Sequence, residues 1–110
     1  MNSITDIEWH DLPIVDFSIS EHRILLVVTP FEDSIGQYRC FSLKLFDFED
    51  VSIKMDSEIT LSTLSEMEVH SFEFHQSSKN ISGKLIVLTG LTGIFSIEFT
   101  NAKWSFEPSI

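Results

Sequence analysis

The segment Glu8-Trp9-His10-Asp11-Leu12-Pro13 places an indole, an imidazole and two carboxylates within six residues. A histidine beside an aspartate is an acid–base pair in principle, and imidazole is also the commonest side-chain metal ligand. General-base catalysis needs more than adjacency: the base must be oriented by a carboxylate and aimed at a nucleophile. Without that convergence the same residues make a strand-start motif. In that case Trp9 plugs the core, the Asp11 carboxylate accepts backbone N–H bonds and Pro13 sets the turn, leaving His10 without an assigned role.

The other candidate groups are sparser. His70 and His75 are five apart on one expected strand and so fall on opposite faces, and His10 and His22 meet only if their loops do. No zinc-ligand spacing is present and no metal or other cofactor is expected. Gly90-Leu91-Thr92-Gly93 lacks the longer loop and lysine of a phosphate cradle and reads as a turn. Asp47, Glu49 and Asp50 offer too few oxygens for a calcium loop and read as an acidic edge that discourages strand addition. The single cysteine, Cys40, has no partner for an internal disulfide and is expected to be a small inert hydrophobe. Trp9, Phe31, Tyr38 and Trp104 fall near loops or strand ends, where an aromatic serves either as an edge-of-core plug or as an interface anchor.

Strands must position these groups, because the recurring hydrophobic period is two. Val15, Phe17 and Ile19 alternate with Asp16, Ser18 and Ser20, predicting a strand over residues 14–20. Ser-Glu-His-Arg then reverses the chain into Ile-Leu-Leu-Val-Val-Thr, an apolar run suited to a central strand and ended by Pro30. Residues 30–36 read as a connecting loop in which Gly36 supplies an unusual backbone angle. In the next strand Arg39, Phe41, Leu43 and Leu45 form the expected core face, and Val51–Lys54 reads as the far end of the same ribbon after a bulge. Residues 56–69 fit neither period, so a turn or one short helix near 60–67 is expected. Phe72 and Phe74 share a strand face, with Val69 apart. Asn80 and Gly83 are available for a polar turn. Three closing strands, with a reversal at Asn101-Ala102, form a meander.

These elements predict one all-β domain over residues 1–110, either an antiparallel sandwich or a strongly curved, barrel-like sheet of about 7–8 short strands. The alternation is the same for both, so periodicity does not choose between them. With 43% hydrophobic residues, ten of them Phe, the core needs no disulfide or metal to be stable. No secretory signal and no membrane-length apolar run is visible, which points to a soluble cytoplasmic protein.

The formal charge is −10, from 17 acids against 7 bases. Residues 1–35 carry seven acids and one base, residues 36–74 eight and three, and residues 75–110 two and three. Binding to nucleic acid or to an anionic membrane relies on the opposite balance and is excluded on this ground. A basic protein partner fits, since complementary charge speeds encounter and rejects wrong partners. Solubility alone would also account for the acidity.

Three stretches, Trp9-His-Asp-Leu-Pro-Ile-Val-Asp-Phe-Ser-Ile19, Phe41-Ser-Leu-Lys-Leu-Phe-Asp-Phe-Glu-Asp-Val-Ser-Ile53 and Gly90-Leu-Thr-Gly-Ile-Phe-Ser-Ile-Glu-Phe99, are distributed over most of the length of the chain. They resemble small bacterial β-rich proteins of unknown function, some assigned as immunity proteins of polymorphic toxin systems. The shared cues are the early His10-Asp11, the Phe48-Glu49-Asp50-Val51 step and an aromatic closing strand pair. The resemblance implies an all-β cytoplasmic domain that inhibits a toxin by binding it, and carries over no catalytic residue. The leading expectation is therefore a non-enzymatic binding protein with contacts among Trp9, His10, Asp11, Phe31, Tyr38 and Trp104. The alternatives are an enzyme or small-ligand carrier with a pocket near His10 and Asp11, and a homo-oligomer paired through a strand edge.

Overall fold

Alternation in the sequence becomes alternation in burial along several of the paired strands. In the computed structural model, which describes residues 4–55, 66–90 and 93–109, β1 (Leu12–Ile19) and β2 (Arg23–Val28) form an antiparallel hairpin. The Ser20 N–H donates to the Arg23 carbonyl at 2.8 Å, closing the expected tight reversal. Ile24, Leu26 and Val28 point inward and are buried. On the other side of β2 lies β5 (Phe41–Phe46), whose Phe41, Leu43 and Leu45 are buried, as the sequence predicts for that face, whereas Arg39, expected on the same face, precedes the strand and is exposed.

The chain then steps through Asp47, in a left-handed conformation (φ 50°), into β6 (Asp50–Met55). β5 and β6 both pair with β9 (Gly93–Pro108), β5 with its second half and β6 with its first. Between them residues 47–49 face only residues 101–102, which is the one-residue excess of a bulge. The two short strands are thus one bulged ribbon, as expected.

β1, β2 and β5 form one meander, and β7 (Met67–Ser77), β8 (Asn80–Thr89) and β9 make the second. An irregularity between Val69 and Ser71 brings Val69 and Phe72 to the same inner face although they are three residues apart. The turn into β8 uses Ser78 at φ 61°, while of the expected turn residues Asn80 opens the strand and Gly83 lies inside it. Gly83 is instead a close-approach position: a Cβ there would clash with the Glu73 carbonyl oxygen and sit 2.8 Å from the Phe74 Cβ. The expected reversal at Asn101-Ala102 is also corrected. β9 continues through this point, with Asn101 at φ 51° and its N–H donating to Ser82 Oγ at 2.9 Å. Asparagine tolerates the left-handed region, so here it bends a strand without ending it.

The two meanders join along both sides. β1 pairs with β7, and β5 with β9, so the strands run round a closed ring β1-β2-β5-β9-β8-β7 with β6 extending the β5 ribbon. Closure decides for a barrel over a sandwich and removes most free edges. A small separate hairpin pairs β3 (Phe31–Glu32) with β4 (Gln37–Tyr38), where a plain loop is expected from the sequence. The short helix expected near 60–67 lies mostly on residues 56–65, outside the described residues, and Met67 already belongs to β7.

One end of the barrel is closed by the chain before β1. A single 3-10 turn, Ile4–Asp6, delivers Ile4 and Ile7 to the core. Trp9 follows them, its ring edge-on to Phe72 at 5.0 Å and to Phe106 at 6.1 Å, and its indole N–H donates to the Ile4 carbonyl at 3.0 Å. A buried indole with its polar handle satisfied is a plug. The core therefore lies along the barrel axis, from this plug to Phe95 and Ile97.

Candidate functional site

The turn that buries Trp9 also exposes its neighbours. The Leu12 N–H returns to the Trp9 carbonyl at 3.2 Å, and Asp11 takes φ 63°, a conformation aspartate adopts more readily than most residues. The Asp11 N–H donates to the Val69 carbonyl at 2.8 Å, tying the turn to β7. His10 and Asp11 are left on the surface, with side chains 63% and 66% exposed. The Asp11 carboxylate accordingly does not cap backbone N–H groups as the sequence motif suggests; Oδ2 lies 3.3 Å from His10 Nε2.

The other His10 nitrogen, Nδ1, is 2.7 Å from the His70 carbonyl oxygen and donates its proton there. That hydrogen bond, then the Asp11 carboxylate and the more distant Glu68 and Glu8, raise the His10 pKa above its ordinary 6.5. The His10 and His70 rings meet edge-on at 5.4 Å. Among the described residues no cluster of three or more His, Cys, Asp or Glu is placed to hold a metal ion.

Facing this turn is the β3–β4 hairpin. Phe31 and Tyr38 are directly paired across it, ring edge to ring face at 5.3 Å, and remain 44% and 72% exposed. Beneath them Glu32 is buried and organises the hairpin. Its carboxylate lies 3.4 Å from Arg39 Nη1 and accepts from Ser34 Oγ at 3.3 Å, while its carbonyl accepts the N–H groups of Ile35 and Gly36. Gly36 completes the turn at φ 67°. The aromatic pair is thus held out from the barrel on a braced support.

Between turn and hairpin runs a groove of about 680 Å³. Its walls carry the carboxylates of Asp6, Glu8, Asp11 and Asp33, the His10 ring and the Phe31–Tyr38 pair. Among the described residues lining it there is no lysine or arginine. Four of the six residues expected from the sequence, His10, Asp11, Phe31 and Tyr38, are brought together here. Two are not: Trp9 is corrected to a core plug, and Trp104 sits half-buried on β9 opposite Leu45, packed against the core. Glu8 joins them from the same early motif, whereas Asp6 and Asp33 belong to no motif, although the acid excess of residues 1–35 contains all three.

The chain matches no family model, no curated protein and no solved structure. No helix among the described residues is long and apolar enough to cross a membrane. Cys40 is half-buried and unpaired by disulfide. The acids expected to form an edge sit at the bulge between β5 and β6, where Asp47 faces Lys103 at 3.4 Å.

Proposed function

We propose that this is a non-enzymatic cytoplasmic protein-binding module whose acidic groove receives a lysine- or arginine-rich surface of a partner, as an immunity-type inhibitor of a basic toxin would. The carrying observation is the joining of four carboxylates to an exposed aromatic pair in one concave site. Carboxylates supply long-range attraction, and a guanidinium or ammonium group over Tyr38 or Phe31 adds a cation–π contact of about 0.5–2 kcal/mol. Aromatics held rigidly at a site lose little side-chain entropy on binding, which suits them as anchors.

The geometry of His10 favours binding over catalysis. Nδ1 is engaged by the His70 carbonyl and Nε2 faces Asp11, so neither nitrogen is turned toward a substrate.

The test is copurification from the native cell, comparing the wild type with a Glu8→Lys, Asp33→Lys double variant. The expected result is a basic partner that the wild type retains at low salt and releases at high salt, and that the variant fails to retain. Recovery of the wild-type protein alone, or equal retention by the variant, overturns the proposal.

A further inference from the structure

At the end of the barrel opposite Trp9, part of the inner face is left uncovered by the described residues. Residues directly paired across antiparallel strands share a face, so the register identifies which side chains point inward. Phe17 and Ile19 pair with the buried Leu26 and Ile24, and Ile53 and Met55 pair with the buried Ile97 and Phe95. All four therefore belong to the core face. Yet Ile19, Ile53 and Met55 are 41%, 43% and 66% exposed, whereas their partners are at most 4% exposed.

Together with Met67 and Phe95 they line a concavity of about 490 Å³ at the barrel mouth. That volume falls within the range of about 300–1,000 Å³ occupied by small-molecule pockets, and barrel mouths are a preferred place for them. Two of the lining residues are methionines, whose unbranched side chains adapt to the shape of an apolar guest.

Among the described residues lining it, Asp16 at the rim is the one that carries a charge. Its Oδ1 accepts the Phe17 N–H at 2.9 Å, which fixes the carboxylate at the entrance. A carboxylate there, on a chain of formal charge −10, disfavours an anionic head and favours a cationic or hydroxyl one. We infer that the open barrel mouth is a binding site for a small amphiphile, with its alkyl chain against Ile19, Ile53 and Met55 and an uncharged or cationic head at Asp16. This site is separate from the acidic groove and does not depend on the function proposed for it.

The experiment uses the full chain with its methionine methyl groups labelled with carbon-13, titrated below their micelle concentrations with decanol, decyltrimethylammonium and decanoate. Decanol and the ammonium compound are expected to shift the Met55 and Met67 methyl signals saturably. Decanoate should bind on the order of tenfold more weakly than decanol, and Asp16→Asn should narrow that gap to about twofold. Ile53→Glu, a change at a half-exposed position, should abolish decanol binding while the far-ultraviolet circular dichroism spectrum stays unchanged. Unmoved Met55 and Met67 signals, or equal binding of all three probes, overturn the inference. So does a shift of Met55 with protein concentration alone, which would make a second copy of the chain the occupant.

Discussion

The two ends of β1 divide the molecule into contrasting regions. At its start, the preceding segment folds inward, so that Ile4, Ile7 and Trp9 fill the barrel and the groove outside is lined mainly by polar and aromatic residues. At its other end, core-face side chains continue outward past the last filled layer. The same inward alternation therefore has two consequences. Where a plug is present it produces a rigid wall on which a polar site can be built; where described residues supply none it leaves an apolar hollow. Sites at a filled end are expected to recognise charge and shape at the surface, and those at an open end to recognise apolar volume.

Breaking the plug should have the largest effect. Trp9→Ala removes two edge-on ring contacts and the indole hydrogen bond, and should cost about 3–5 kcal/mol in urea unfolding. Met55→Ala, at 66% exposure, should cost no more than about 0.5 kcal/mol. Equal losses would mean that the two ends are built alike.

The bend in β9 comes next. Asn101→Val places a β-branched residue at φ 51° and should cost about 1–3 kcal/mol, while Asn101→Gly should be close to neutral. Similar thermal melts for the two variants would show that the left-handed bend is not needed to carry β9 from β6 to β5.

Tyr38→Ala separates binding from folding at the filled end. Its side chain is largely exposed on a hairpin braced by Glu32, so stability should change by about 0.5 kcal/mol or less. Binding of a hexa-arginine peptide, followed by calorimetry, should weaken by about tenfold. Loss of folding with loss of binding would move Tyr38 from the site to the scaffold.

The smallest effect belongs to His10. Its folded pKa is raised, so the native state binds more protons than the unfolded chain between the ordinary 6.5 and the raised value. Its contribution to stability is therefore fully present below 6.5 and lost as pH rises through the folded value. An NMR titration should place the His10 midpoint above 6.5, and Asp11→Asn should bring it down by removing the second of its two main causes. Deprotonation also removes a positive charge from an acidic groove, so affinity for hexa-arginine should increase over the same interval.

Much of this architecture is legible along the chain. Phe41, Leu43 and Leu45 face the core as their alternation predicts, and the ribbon from β5 to β6 carries its bulge where the acids of residues 47–50 interrupt the pattern. Asn101 is harder to read, because a left-handed asparagine serves a turn and a strand bulge equally well, and only its neighbours decide which. The β3–β4 hairpin left a fainter trace: two aromatics, Phe31 and Tyr38, flank a four-residue turn ending in Gly36, on strands only two residues long. The groove was half visible. Its residues stood out by type, but Trp9 and His10, adjacent in sequence, are sent to opposite sides of one turn by the Asp11 geometry.

What the sequence by itself determined is what period and composition control: an all-β fold, most of its inward faces, its acidity, and the residue types available for a site. Those are local properties, since each follows from a side chain's alternation with its immediate neighbours. The tertiary structure decided how the two meanders closed, which end was filled, and which acids gathered beside the Phe31–Tyr38 pair. Pairing of β5 with β9 joins residues about sixty positions apart, and His10 meets the His70 carbonyl across a similar separation. Contacts of that range depend on register and closure, which period-two alternation leaves free.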